Sequence, residues 1–135
     1  MAEVRAQRAS KPPTTLGHRF ATALAAKDRA ALLSLLADDV DFAGLTPGRS
    51  WQADTATGVV DDVLLGCWFE DSDHIEDVEE ISTGEVGGRA HLAYRFRVRN
   101  PDGLFLVEQQ AYYDTDAGRI TWLRILCSGF RPAGG

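Results

Sequence analysis

The first part of the chain carries the apolar spacing of helices. Leu16, Phe20 and Leu24 recur every fourth residue with alanines between them, which predicts an amphipathic helix that begins near Leu16. Asp28 stands where an N-cap would be, before a leucine-rich run that ends by residues 38–39. The pattern therefore predicts two consecutive helices that form a corner.

A short extended run and a third helix follow. Residues 40–45 are β-prone and lead into the turn signal at 46–48, which predicts a short edge strand. Asp54 or Thr55 can cap a helix whose apolar stripe has helical spacing and includes Cys67 and Trp68. We therefore expect both cysteines, Cys67 and Cys127, to be buried thiols.

From residue 73 onward the apolar period shortens to that of strands. Glycine, proline, asparagine and aspartate mark turns between successive alternating runs. Helices followed by an antiparallel meander predict an α+β fold in which the helices gather on one face of a curved sheet. The four predicted strands are His74–Thr83, Arg89–Arg99, Leu104–Tyr113 and Arg119–Phe130.

Strand alternation assigns side chains to the two faces of this sheet. A loop at 100–103 sets Tyr94 opposite Gln109, and the turn at 114–118 sets Tyr113 opposite Thr121. The face toward the helices is then almost wholly apolar. Its only polar side chains are Tyr94, Gln109, Tyr113, Thr121 and Cys127.

The opposite face combines aromatic and charged side chains, with Arg95 opposite Glu108. Exposed tryptophan, tyrosine and arginine are enriched in protein interfaces, which favours a homodimer formed sheet against sheet. The alternative is a solvated face whose ion pairs contribute little. The predicted interface comprises His91, Arg95, Arg97, Glu108, Tyr112, Trp122 and Arg124.

Composition narrows the class of protein. A chain of 135 residues fits one domain, and no apolar run is long enough to cross a membrane. A net charge of -6 makes nucleic acid an unlikely partner, because the field repels phosphate. Residues 1–15 lack the apolar core of a secretory signal, so we expect a flexible tail on a cytoplasmic protein.

Two segments carry a resemblance to a known family. Residues 25–42 (AAKDRAALLSLLADDVDF) and residues 111–130 (AYYDTDAGRITWLRILCSGF), with a tryptophan after a Pro-Gly turn between them, resemble the NTF2-like (SnoaL-like) superfamily. The resemblance implies a cystatin-like cone, one domain over residues 16–131. In that cone three helices are closed by a bent, mostly antiparallel sheet around a pocket, and pairing through the outer face is common.

Members of that superfamily include ketosteroid isomerases, polyketide cyclases, scytalone dehydratases, limonene-type epoxide hydrolases and non-catalytic binders, so the fold does not fix function. The isomerase tyrosine and aspartate match Phe20 and Gly44 here. The epoxide hydrolase arginine and two aspartates match Leu92, Tyr94 and Ile125. Neither chemistry is carried over by these residues.

The candidate chemistry is therefore sparse. Asp41 is a candidate base if Phe42 and Trp51 desolvate it, although alternation turns its neighbours Val40 and Phe42 inward instead. Tyr94, Gln109 and Tyr113 can orient a ligand carbonyl, or they can satisfy one another. The predicted catalytic residues are Asp41 and Tyr94, and the predicted ligand-binding residues are Trp51, Trp68, Tyr94, Phe96, Gln109, Tyr113, Ile125 and Cys127.

These residues favour a protein that binds an apolar, oxygen-bearing small molecule. One hypothesis is a cofactor-free isomerase, cyclase or dehydratase; the other is a non-catalytic ligand-binding or dimerisation module. The histidines at 74 and 91 match no metal-ligand spacing, so we expect no metal and no cofactor.

Overall fold

The computed structural model describes residues 13–133, and residues 1–12 of the predicted tail at 1–15 lie outside the described residues. Helix α1 (Pro13–Ala25) begins at Pro13 rather than near Leu16. Proline suits a first helical turn because the N–H that it lacks would have no partner there. Helix α2 (Arg29–Leu35) is capped as predicted, since the Asp28 carboxylate accepts the N–H of Ala31 at 3.1 Å.

Helix α3 (Gly58–Trp68) has π-type winding, in which each N–H bonds the carbonyl five residues back. The Thr55 hydroxyl accepts the N–H of Gly58 at 3.0 Å, which fulfils the predicted cap. With this winding, the buried side of the helix includes Val63, Leu64 and Trp68 but not Cys67. Cys67 is exposed, so the prediction that it is buried is wrong, whereas Cys127 is buried as expected.

One sheet contains every strand of the described residues, in the order β2-β1-β6-β5-β4-β3 with β7 paired to β5. Strands β1 and β6 run parallel, and the other pairs are antiparallel. The strands are β1 (Leu36–Thr46), β2 (Arg49–Ala53), β3 (His74–Val86), β4 (Arg89–Asn100), β5 (Gly103–Asp116), β6 (Arg119–Cys127) and β7 (Arg131–Pro132).

Two strand predictions are corrected. The β1 strand is not an edge strand, because β2, which the sequence pattern did not predict, pairs along its outer side. Tyr113 lies opposite Leu123 rather than Thr121, because the turn pairs Asp116 with Arg119, one residue away from the predicted register, and a bulge between Asp114 and Thr115 adds one more. A shift of two residues preserves which side chains face inward, so the predicted face of Leu123 to Cys127 still holds.

The core lies between the three helices and the inner face of the sheet. Phe20, Leu24 and Leu32 of the helices are fully buried, as are Phe96 and Val98 of β4. The described residues therefore form an α+β fold of three helices on an open, mostly antiparallel sheet. None of the described helices is long and apolar enough to span a membrane.

Candidate functional site

A small cavity of about 190 Å³ lies where the end of α3, the β1–β2 hairpin and the segment after β6 meet. It is close in size to the cavity of about 150 Å³ that holds benzene in an engineered core, and smaller than the range for drug-sized ligands. It therefore suits a compound of about one ring. The lining residues are Thr46, Trp51, Cys67, Trp68, Phe69, Gln109, Cys127, Gly129 and Phe130.

The Trp68 indole forms one wall of this cavity, and Gly44 of β1 makes room for it. A Cβ atom at Gly44 would lie 2.7 Å from Cη2 of Trp68, so only glycine admits the ring at this point. The indole packs edge-on against Trp51, with 6.2 Å between ring centroids, and against Phe42 at 5.9 Å. The Trp51 indole N–H donates to the Thr46 hydroxyl at 2.8 Å. The Trp51 ring is thus held by packing and a hydrogen bond, and the Trp68 ring is held by packing.

A row of polar side chains crosses the inner face of the sheet beside this wall. Gln109 of β5 lies opposite Tyr94 of β4 on one side and opposite Cys127 of β6 on the other. The Tyr94 hydroxyl donates a hydrogen bond to Oε1 of Gln109. Burial raises the pKa of Tyr94 well above its ordinary value, and negative charge on Cys127 adds to the effect. The phenol therefore stays protonated and keeps its proton available to donate to the amide oxygen.

Two N–H donors that belong to lining residues are left without a partner. Nε1 of Trp68 and Nε2 of Gln109 are buried and have no hydrogen-bond partner among the described residues. The two side chains belong to residues that are 6% and 1% exposed. A buried donor without a partner costs about 1–3 kcal/mol, so such atoms are rare unless a ligand or water satisfies them.

The lining carries no formal charge. Among residues 13–133, no aspartate, glutamate, histidine, lysine or arginine lines this cavity. The same described residues contain no group of three or more side chains that could hold a metal ion. The site can therefore donate hydrogen bonds to an acceptor inside an apolar enclosure.

Four of the predicted ligand-binding residues, Trp51, Trp68, Gln109 and Cys127, line the cavity. Tyr94 reaches it only through its hydrogen bond to Gln109. The observed pairing of β4, β5 and β6 places Tyr94, Gln109 and Cys127 side by side on the inner face of the sheet. Strand alternation in the sequence predicts the same face for all three.

Three other predicted ligand-binding residues lie in the core away from the cavity lining. The Tyr113 hydroxyl accepts the N–H of Gly17 in α1 at 2.9 Å, 96 residues away in sequence. Burial raises the pKa of this tyrosine, against the lowering effect of the Gly17 N–H. Phe96 stacks on Tyr94, with 4.9 Å between ring centroids, and Ile125 is buried.

Asp41 does not face the cavity. Its side chain is 67% exposed, and Oδ1 lies 3.1 Å from Nη2 of Arg124 on the outer face of the sheet. Strand alternation explains the placement, because Val40 and Phe42 turn inward and are buried. Asp41 was expected at the cavity mouth as a candidate base, and this placement is wrong.

The outer face of the sheet is a network of paired charges and aromatic rings. Arg95 binds Glu108 at 2.9 Å, as the predicted register requires, and Arg97 binds Glu79 at 2.6 Å. The Trp122 ring has the Arg89 guanidinium 3.9 Å from its centroid and that of Arg124 at 4.3 Å. His91 stacks on Tyr112 at 4.9 Å. All seven residues of the predicted interface are thus on this face.

Sequence reasoning missed the other lining residues, which are Thr46, Cys67, Phe69, Gly129 and Phe130. Most of them lie at the ends of elements, where periodicity gives no direction to a side chain. The one available signal was the Pro-Gly turn. A hairpin through this turn, with a second strand after it, would have placed Thr46 near Trp51.

Solved structures with this arrangement define the class of fold. An NTF2-like protein from Burkholderia thailandensis E264 has a TM-score of 0.65 at 16% identity, over 87% of this chain and 92% of that one. A candidate polyketide cyclase from Pseudomonas putida KT2440 has a TM-score of 0.66 at 15% identity, over 86% and 91%. An epoxide hydrolase of the LEH-like type from M. tuberculosis has a TM-score of 0.61 at 18% identity, over 87% and 86%.

These structures share with this chain a fold in which helices pack on one face of an open, curved sheet. The chain has the NTF2-like (SnoaL-like) fold, as the sequence resemblance implied. The sequence matches no protein-family model, and no curated protein matches it significantly.

Proposed function

We propose that this protein binds a small, uncharged, mainly apolar compound of about one ring through its carbonyl oxygen. The single observation that carries the proposal is the pair of buried donors, Nε1 of Trp68 and Nε2 of Gln109, which lack partners among the described residues. Both belong to residues that line the same cavity.

The chemistry of the lining supports a carbonyl over other groups. Two N–H donors without a neighbouring acceptor suit a group that only accepts hydrogen bonds, and a carbonyl oxygen has two lone pairs. A carboxylate would enter without a cationic partner in the lining, and an unpaired buried charge is costly. The net charge of -6 adds long-range repulsion for an anion.

A matched pair of ligands tests the proposal. Cyclohexanone and methylenecyclohexane have the same shape, but only the ketone has an acceptor. A ligand at 100 times its dissociation constant raises the free energy of unfolding by about 2.7 kcal/mol. We expect the ketone to raise the melting temperature more than the hydrocarbon at equal concentration. Equal effects of the two compounds would contradict a role for the donors.

Turnover is a second candidate, as in a cofactor-free isomerase, cyclase or dehydratase. The donors favour it because N–H groups that bind a carbonyl oxygen stabilise the enolate that forms when water takes an α-proton. The test is deuterium exchange at the α-carbons of cyclohexanone in D₂O. Exchange faster than in buffer, and lost in Gln109→Leu, supports an enzyme. Binding without exchange of this ketone supports a ligand-binding module.

We also propose that the outer face forms a homodimer, through the residues named above for this face. Two exposed leucines support it, Leu45 at 53% and Leu126 at 57%, beside a mostly apolar groove of about 380 Å³. The face carries both signs of charge, so it can pair with a second copy of itself. Analytical ultracentrifugation should show a dimer that Leu126→Glu dissociates and that the exposed helix variant Ser34→Glu leaves intact. A wild-type monomer at micromolar concentration would contradict the proposal.

A further inference from the structure

The thiol of Cys127 lies beside one of the two free donors. Cys127 is the last residue of β6 and pairs directly with Gln109 in the antiparallel register. Directly opposed residues have Cβ atoms about 4.5–5.5 Å apart on the same face. Both residues line the cavity, so a molecule whose oxygen binds Nε2 of Gln109 has its neighbouring carbon atoms within reach of the sulfur.

The sulfur has a donor of its own. The N–H of Gly129 points back to Sγ of Cys127 at 3.3 Å. Gly129 has a left-handed backbone, with φ at +77°, and a Cβ atom there would lie 2.9 Å from Cγ of Pro47, so glycine fits this position best. The hydrogen bond holds the sulfur in place next to the side chain of Gln109.

We propose that Cys127 is a covalent attachment site for α,β-unsaturated carbonyl compounds held in the cavity. This inference rests on the proposed function, because the two free donors must hold the carbonyl oxygen. The thiol loses its proton to water, and its sulfur forms a bond to the β-carbon. The carbon–carbon π bond breaks and its electrons move to the carbonyl oxygen, where Trp68 and Gln109 stabilise the enolate. The α-carbon then takes a proton from water, so the product is a thioether with the mass of protein plus ligand.

The second cysteine serves as an internal reference. Cys67 lines the same cavity but is exposed, and it is on α3 rather than opposite Gln109. Reactivity governed by exposure alone would favour Cys67, whereas reactivity governed by the donors favours Cys127. Peptide mapping by mass spectrometry distinguishes the two sites in one wild-type sample.

The experiment treats the full chain with 2-cyclohexenone and follows adducts at both cysteines over time. We expect Cys127 to react faster than Cys67, and excess cyclohexanone to slow the reaction at Cys127 alone. The Gln109→Leu variant should slow Cys127 by about tenfold or more, since a donor to a developing oxyanion is worth at least that. The matched variant Gln110→Leu, on the outer face of the same strand, should leave the rate unchanged.

Faster labelling of Cys67, or labelling of Cys127 that the saturated ketone does not slow, would overturn the inference. Failure of the two proposals is distinguishable, because binding of cyclohexanone is measured separately by its effect on melting temperature. A ketone that binds while Cys127 stays unmodified refutes the covalent step and leaves the proposed function standing. A ketone that does not bind refutes the proposed function itself.

Discussion

The hydrogen bond between Tyr94 and Gln109 allows a quantitative test of the free-donor argument. The wild-type pair satisfies the tyrosine hydroxyl and Oε1 of the amide, and leaves Nε2 without a partner among the described residues. Tyr94→Phe should then leave Oε1 unpaired as well, at a cost of about 1–3 kcal/mol. Gln109→Leu should remove the unpaired Nε2 but leave the tyrosine hydroxyl unpaired, so its two effects nearly cancel.

The double variant Tyr94→Phe, Gln109→Leu removes every polar atom of the pair. Replacing both partners of a buried hydrogen bond by apolar groups of similar shape is nearly neutral or stabilising. We therefore expect the double variant to be at least as stable as wild type, and more stable than Tyr94→Phe. The coupling free energy between the two substitutions should be about 1–3 kcal/mol.

The assay is thermal and urea unfolding of the ligand-free protein, followed by circular dichroism. About 1 kcal/mol corresponds to about 3–6 °C in melting temperature for a chain of this length, so the effect is measurable. The exposed ion pair between Arg29 and Asp61, which joins α2 and α3 away from the proposed dimer face, is the control. A cycle of Arg29→Ala and Asp61→Ala should show little coupling, since exposed surface pairs contribute little to stability. A double variant of the buried pair that is less stable than Tyr94→Phe would refute the reasoning.

Three further predictions concern the cavity walls and the buried tyrosine. Trp68→Phe should weaken cyclohexanone binding by about 5–100-fold, the equivalent of one buried donor, and calorimetry showing an unchanged dissociation constant would count against it. Gly44→Ala should lower the free energy of unfolding by about 1–3 kcal/mol, because its methyl group must displace Trp68, whereas Gly84→Ala, with nothing within 4 Å of its new Cβ, should not. The raised pKa of Tyr94 means that its contribution to stability is complete below its ordinary pKa of 10.0 and is lost as pH rises through the folded-state value. Urea midpoints should therefore fall more steeply above that pH in wild type than in Tyr94→Phe, and parallel curves would contradict this.

The inner face of the sheet could be predicted from the sequence because strand alternation and a tight turn fix it. The loop at 100–103 sets the register of β4 and β5, and the pairing of Tyr94 with Gln109 follows directly. Strand alternation also predicts that Val40 and Phe42 point inward and Asp41 outward, as the structure has them. Parity on β6 held because the turn between Asp116 and Arg119 and the bulge each move the register by one residue from the predicted pairing, which makes two in all.

Five of the nine residues that line the cavity could not be predicted, because most of them lie at the ends of elements, where local patterns give a side chain no direction. The π-type winding of α3 departs from the helical spacing that the apolar pattern assumes, and in it Trp68 is buried while Cys67 is exposed. The position of Tyr113 depends on a contact with Gly17 from the far end of the chain. The free donors are visible only when every hydrogen bond around Gln109 and Trp68 is accounted for.

The central claim is that Trp68 and Gln109 hold free N–H donors for a ligand oxygen. Two-dimensional nitrogen–proton NMR of the labelled protein, titrated with cyclohexanone, observes those N–H groups directly. The indole signal that disappears in Trp68→Phe should move downfield together with the Gln109 amide signals. The indole signal of Trp51, already bonded to Thr46, should move much less. A Trp68 signal that stays still, or that moves no more than the signal of Trp51, would contradict the account.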